Sequence, residues 1–336
     1  MAKIGLIGAG SWGTALTYEL TSKGQDVDIW SIDPHEVELI NTRHEQTEKL
    51  PGTILPEKTK ASTDLQEIIT GKDLLVLAVP SKFTRSTARS MAPFVAKGQL
   101  IVSVAKGIEE DTLLTLSQII EQEIPQAEVA VLCGPTHAEE VGKGMPTAIV
   151  AGAKKRETAK YVQDIFMSPV FRVYTSPDVL GMELGAALKN VVALAAGIAD
   201  GLGYGDNTKA ALITRGIAEI SRVGIAVGGK AQTFSGLTGI GDLIVTCASM
   251  HSRNRRAGIL IGQGKTPDEA MKEVNQVVEG VYSAKAAKQL SERYGIDTPI
   301  IDEVNAVLFD HKNPSDAVDD LMLRDKKVEI NTLDWE

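Results

Sequence analysis

The chain has 336 residues, 43% hydrophobic and 24% charged, enough for two domains and a large core. Its formal net charge of −9 argues against a nucleic acid or an anionic membrane as the main partner. It also means that a site for an anionic substrate must gather its cations locally. Cys133 and Cys247 lie far apart without C-x-x-C spacing, which argues against a disulfide framework or a zinc site and fits a reducing cytoplasm.

The first apolar run begins at Ile4, leaving no room for the basic and apolar regions of a signal peptide. The longest clean apolar run, Val191–Ala199, falls short of a membrane span, so no membrane insertion is expected.

Lys3–Ile7 reads as a β-strand. It leads into Gly8-Ala9-Gly10-Ser11-Trp12-Gly13 and then a helix. This is G-x-G-x-x-G between a strand and a helix. Gly8 permits the tight turn, Gly10 lets the backbone approach a pyrophosphate, and Gly13 lets helix and strand pack. The helix start favours phosphate through its free N–H groups and its dipole. A dinucleotide cofactor is therefore expected here.

Val27–Trp30 is the second strand. An acid at its end would bind a ribose 2′-hydroxyl, and an arginine would accept a 2′-phosphate. The chain offers Ser31, Ile32, Asp33 and Pro34. Asp33 is either the ribose-reading acid or a cap for the helix that follows, so NAD and NADP both stay open.

Further strands are expected at Leu74–Val79, Leu100–Val104, Val129–Leu132, Thr147–Ala151 and Val170–Tyr174, with helices between. That alternation predicts a parallel, doubly wound sheet with ligands at the carboxyl ends of its strands. Lys106, Gly134 and Thr136 fall at such ends. Thr136 also fits a capping box with Glu139. His137 reads as a surface residue of a first helical turn. His35, His44 and His311 lack metal-ligand spacing, and no metal is expected.

After Pro177 no alternating strand is evident. The expected division is an N-terminal sheet domain, residues 1–180, and an all-helical domain, residues 181–336. Residues 185–205 are rich in Ala and Leu and free of Pro, a helical stretch. Lys189 and Asn190 are its polar pair, and Lys189 shares a face with Gly185, Ala186, Ala193 and Ala196. An ammonium on a face of small residues must meet a polar cavity or lose its proton. This pair is the candidate catalytic site.

Ser235–Asp242 is a glycine-rich turn ending in an acid that could cap the next helix. In His251-Ser252-Arg253-Asn254-Arg255-Arg256, Ser252 is the expected N-cap. Arginine in a first helical turn opposes the dipole unless an anion sits there. Glu279-Gly280 precedes a helix over 282–294, and Pro314–Arg324 is a last amphipathic helix. The polar end, 325–336, is expected to fray.

Six segments now carry a resemblance: 8–16 (GAGSWGTAL), 103–108 (SVAKGI), 133–140 (CGPTHAEE), 185–190 (GAALKN), 201–207 (GLGYGDN) and 251–254 (HSRN). Together, in this order over nearly the whole chain, they resemble the bacterial NAD(P)-dependent sn-glycerol-3-phosphate dehydrogenase family. The resemblance implies a Rossmann domain, an all-helical substrate domain and a cytoplasmic homodimer. The implied enzyme makes glycerol 3-phosphate from dihydroxyacetone phosphate for phospholipid synthesis.

The resemblance makes Lys189 the proton donor or acceptor. It places Lys106, Gly134, Thr136, Asp242, Ser252, Arg253 and Asn254 on the substrate. It places Ser11, Trp12, Lys106, Ala138, Arg253, Val277 and Glu279 on the cofactor, beside the loop glycines. The chain departs from the family with Thr136 in place of the usual Ser, and with no basic residue at 31–32. Two other readings share the architecture: a dehydrogenase of 3-hydroxy or sugar acids, and a non-catalytic dinucleotide sensor. A sensor would not need Lys106, Lys189, Asp242 and Arg253 together.

Overall fold

The computed structural model describes residues 1–326, 328 and 329; most of the polar end expected to fray lies outside them. Eight strands form one sheet: β1 (Lys3–Ile7), β2 (Asp26–Trp30), β3 (Ala61–Ser62), β4 (Leu74–Leu77), β5 (Leu100–Ser103), β6 (Glu128–Cys133), β7 (Thr147–Ala153) and β8 (Phe171–Ser176). Between them run α1 (Ser11–Ser22), α2 (Pro34–Arg43), α3 (Leu65–Ile69), α4 (Thr84–Met91), α5 (Leu116–Glu123), α6 (Ala138–Val141) and α7 (Arg156–Phe166). The sheet order is β3-β2-β1-β4-β5-β6-β7-β8.

Alternate residues of the strands enter different cores. Ile4, Leu6, Leu74 and Val76 pack on one face, Ile7, Leu75 and Leu77 on the other. Burial on both faces explains why these strands read as continuous apolar runs.

The sheet departs from the all-parallel expectation at one junction, where β6 and β7 pair antiparallel; the other pairs are parallel. A parallel return needs a crossover along the sheet face, usually a full helix. Here the connection holds only the single turn α6. The chain therefore stays at the carboxyl edge of β6 and re-enters the sheet from that edge. Gly134 consequently lies against the backbone of Ala148 and Ile149 on β7. The two-residue β3 was not foreseen; it pairs with β2 through Ile29 and Trp30.

After β8 every described regular element is helical: α8 (Val179–Gly201), α9 (Asp206–Val227), α10 (Ala231–Phe234), α11 (Asp242–Ala248), α12 (Arg253–Gly262), α13 (Pro267–Val274), α14 (Glu279–Tyr294), α15 (Pro299–Phe309) and α16 (Pro314–Met322). A π-helical turn, Leu237–Gly241, leads into α11 where a glycine-rich turn was expected. Helix α8 is the axis of this half, buried from Gly181 to Ala199. The whole helix is long and apolar enough to cross a membrane, more than the clean run inside it suggested, but 89% of its most apolar window is covered by protein. It is a core helix.

Candidate functional site

The β1–α1 loop has the geometry its glycines imply. Gly8 has φ +118°, a region L side chains rarely adopt. A Cβ on Gly13 would overlap the Gly8 carbonyl oxygen. A Cβ on Gly10 would meet nothing within 4 Å, so the loop faces open space. No side chain caps α1, and no acid occupies its first turn. The Trp12 indole N–H is buried without a partner among the described residues. Free donors, a positive helix end and open room fit the pyrophosphate of a dinucleotide. The Ser11 hydroxyl donates to the Lys49 carbonyl at 2.8 Å.

At the end of β2, Asp33 proves to be the cap of α2, accepting from the His35 N–H at 2.9 Å. Ser31 is buried and donates to Glu36, a buried acid that also pairs with Lys49. Ile32 is 80% exposed.

Two lysines meet on one carboxylate between the sheet and the helices. Lys106, in the loop after β5, lies 2.7 Å from Asp242 Oδ2 and donates to the Gly134 carbonyl at 2.8 Å. Lys189, on α8, lies 2.8 Å from Asp242 Oδ1 and donates to Thr246 Oγ1 at 2.5 Å. Thr246 in turn donates to the Asp242 carbonyl. Asp242 is thus not a helix cap; its side chain bridges the two ammonium groups. Two cations on one carboxylate leave the cluster net positive, the local charge that an acidic chain must supply for an anion.

Burial, opposed by Asp242 and aided by Lys106, lowers the Lys189 pKa to about 8. Burial alone would raise Asp242, but the two lysines overcome it and hold the carboxyl below its ordinary value. Helix α8 can bring Lys189 here because Gly185, one turn earlier, lies where a Cβ would press on the Thr238 carbonyl.

Thr136 is half-buried and donates to the Gly134 carbonyl at 3.2 Å. The capping box expected with Glu139 does not form; the N-cap of α6 is His137, and no side chain caps the helix. His137 is half-buried rather than on the surface. Its Nε2 faces the Val245 carbonyl on α11 at 3.4 Å, and its ring lies 5.7 Å from that of His251. Burial, then Lys189, lowers its pKa. Ala138, buried, opens α6.

At α12, Ser252 caps as expected, accepting from the Arg255 N–H. Arg253 is exposed and has no hydrogen bond or ion pair among the described residues. Crowding by surrounding chain lowers its pKa, against Glu279 and Glu139. Asn254 is buried; it donates to Asn190 Oδ1 at 2.9 Å and accepts from the Gly280 N–H at 2.8 Å. Its amide ties α12 to α8 and α14.

Glu279, the first residue of α14, reaches the sheet half and accepts from the Ser81 N–H and hydroxyl. Burial raises its pKa, with the Ser81 bonds opposing. Val277 is half-buried just before it. Thr246 and Ser81 were missed in the sequence. Thr246 stands four residues after Asp242, on the same helix face, and that spacing was the available signal.

Residues 3–159 match the family described as NAD-dependent glycerol-3-phosphate dehydrogenase N-terminus, and residues 178–319 match its C-terminus. The chain belongs to this family. A glycerol-3-phosphate dehydrogenase of Agathobacter rectalis, named for NAD(P)+, is 64% identical over 335 residues, covering 100% of both chains. One from Bacillus subtilis is 49% identical over 99% of this chain and 97% of its own. The crystal structure of glycerol-3-phosphate dehydrogenase from Coxiella burnetii superposes with a TM-score of 0.93 at 35% identity, covering 96% of this chain and 99% of that one. Membership in the glycerol-3-phosphate dehydrogenase family excludes the sensor and the hydroxy-acid reading together.

Proposed function

We propose that this enzyme interconverts dihydroxyacetone phosphate and sn-glycerol 3-phosphate with NAD(P)H through the Lys106–Asp242–Lys189 cluster. The observation that carries the residue roles is that cluster: two cations from different halves of the chain on one buried carboxylate. The nicotinamide, when bound, supplies hydride to the substrate's carbonyl carbon.

Protonated Lys189 stabilises the charge that develops on the carbonyl oxygen and delivers the proton; in the oxidative direction its neutral amine takes the proton back. Asp242 holds both lysines in place. Lys106, Gly134 and Thr136 line the substrate from the sheet side. Arg253, without a hydrogen bond or ion pair among the described residues, and the capped start of α12 hold the phosphate, with Ser252 and Asn254 fixing that turn. Remote phosphate binding then serves to align the reacting carbon. Gly8, Gly10, Ser11, Trp12 and Gly13 cradle the cofactor pyrophosphate, and Lys106, Ala138, Arg253, Val277 and Glu279 approach the rest of it.

The same reading divides the chain into a dinucleotide-binding domain, 1–180, and a helical substrate domain, 181–336. It makes the protein a cytoplasmic homodimer supplying glycerol 3-phosphate to phospholipid synthesis.

The test follows NADH and NADPH absorbance in parallel with dihydroxyacetone phosphate. Turnover is expected, and Lys189→Ala is expected to lower kcat by about 10²–10⁴ with cofactor binding retained. Near-normal kcat in that variant removes Lys189 from the proton transfer.

A further inference from the structure

Helices α8 and α12 touch backbone to backbone. A Cβ on Gly197 would overlap the Arg255 carbonyl, and one on Gly201 the Ile259 carbonyl. From the other side, a Cβ on Gly258 would overlap the Leu194 carbonyl, and one on Gly262 the Ile198 carbonyl. Each helix therefore carries G-x-x-x-G on the facing surface. Such a seam brings the helices close, with buried side chains such as Leu194, Ile198 and Ile261 around the glycines. A directional polar contact at the end of the seam adds to what fixes their position along the shared axis.

Asp200, at the carboxyl end of α8, supplies that contact. Its Oδ2 accepts from Arg255 Nε at 2.7 Å, and both side chains are largely buried. Arg255 Nη1 donates to the Ala248 carbonyl at 2.7 Å, at the end of α11. The Arg255 backbone N–H donates to Ser252 Oγ, the cap of α12. One arginine thus joins the end of α8, the end of α11 and the cap directly before Arg253. Lys189 lies on α8 and Asp242 on α11, so all three helices of the site converge on it.

We propose that the Asp200–Arg255 ion pair is a positioning pair. It holds the anion-binding start of α12 in register with Lys189, and so sets affinity for the substrate's phosphate without touching substrate. The inference rests on the reading of α12 as the phosphate site. Asp200 also pairs with Lys209 of α9, at 2.9 Å from its other oxygen. That second contact leaves α12 untouched and provides the control.

The test is steady-state kinetics on the full-length enzyme. Asp200→Asn, nearly isosteric, is expected to raise KM for dihydroxyacetone phosphate about tenfold or more, the scale of a small misplacement. Its KM should rise by more than its kcat falls, because the register of α12 leaves Lys189 itself in place. Dihydroxyacetone, which lacks the phosphate, should be reduced with unchanged kcat/KM. Lys209→Met should leave KM unchanged.

An unchanged KM in Asp200→Asn overturns the proposal. So does an equal loss on dihydroxyacetone, or a Lys209→Met variant that reproduces the effect. If Asp200→Asn does not fold, Arg255→Lys keeps the charge, loses the fork, and is held to the same outcomes. Arg253→Ala, run alongside, separates the two readings. An unchanged KM there fails the phosphate-site assignment itself, whereas a raised KM there with a normal Asp200→Asn fails only the positioning pair.

Discussion

Glycine does opposite work in the two halves of this chain. In the β1–α1 loop, Gly10 leaves open space above the backbone, which a ligand is to fill. In the α8–α12 seam, Gly197, Gly201, Gly258 and Gly262 remove all space, so that protein meets protein. The first kind of glycine serves binding and is nearly irrelevant to stability. The second serves packing and bears on function only through the positions of Lys189 and Arg253. The same residue type, at similar short spacing, therefore marks a site in one place and a scaffold in the other.

The comparison breaks or holds on the largest effect first. Gly258→Leu should destabilise the enzyme by about 3 kcal/mol or more, the upper range of overpacking, because the Leu194 backbone cannot move aside within a buried helix. Thermal melting reads this; a variant that melts like the parent would mean the seam is not tight.

The pH profile gives the next effect. A lysine whose pKa is about 8 because of burial is protonated below that pH. As the proton donor it should make kcat/KM for reduction fall about tenfold per pH unit above 8, and kcat/KM for oxidation rise up to it. A reduction profile that stays flat through pH 9.5 assigns the proton elsewhere.

The smallest effect is at the open glycine. Gly10→Ala should leave the melting temperature within about 2 °C, since its Cβ meets nothing, while NADH Kd weakens severalfold, about 1 kcal/mol. Unchanged NADH affinity would place the pyrophosphate away from Gly10.

The same contrast explains what the sequence disclosed. The strands of the sheet half are legible because burial on both faces writes them as apolar runs, and β1 matches Lys3–Ile7 residue for residue. Their direction is not written: nothing in Thr147–Ala151 distinguishes a parallel strand from the antiparallel β7, whose sense follows from the short connection before it. Lys189 is legible because a lone cation on a face of small residues violates the usual pattern. Thr246 violates nothing, and only its tertiary contact reveals it. Asp33 shows an ambiguity that the letters leave open: of ribose acid and helix cap, its neighbour Pro34 and the His35 N–H make it the cap. The glycines of α8 and α12 were visible as letters, but a glycine in a single chain reads as a turn until its partner helix is known.

The burial of α8 also bears on how the chain is made. This helix is complete at Gly201, but the helices that pack against it, from α9 to α12 and then α14 and α15, follow in sequence and end only at Phe309. At ordinary translation speeds of about 5–20 residues per second, that leaves most of a greasy, membrane-length helix, beyond the part that packs on β6, uncovered for about 5–20 s on the ribosome. The helical half must therefore be assembled late and around an element already waiting. A nascent chain stalled between Gly201 and Phe309 is the form of this enzyme most open to capture by chaperones or to aggregation.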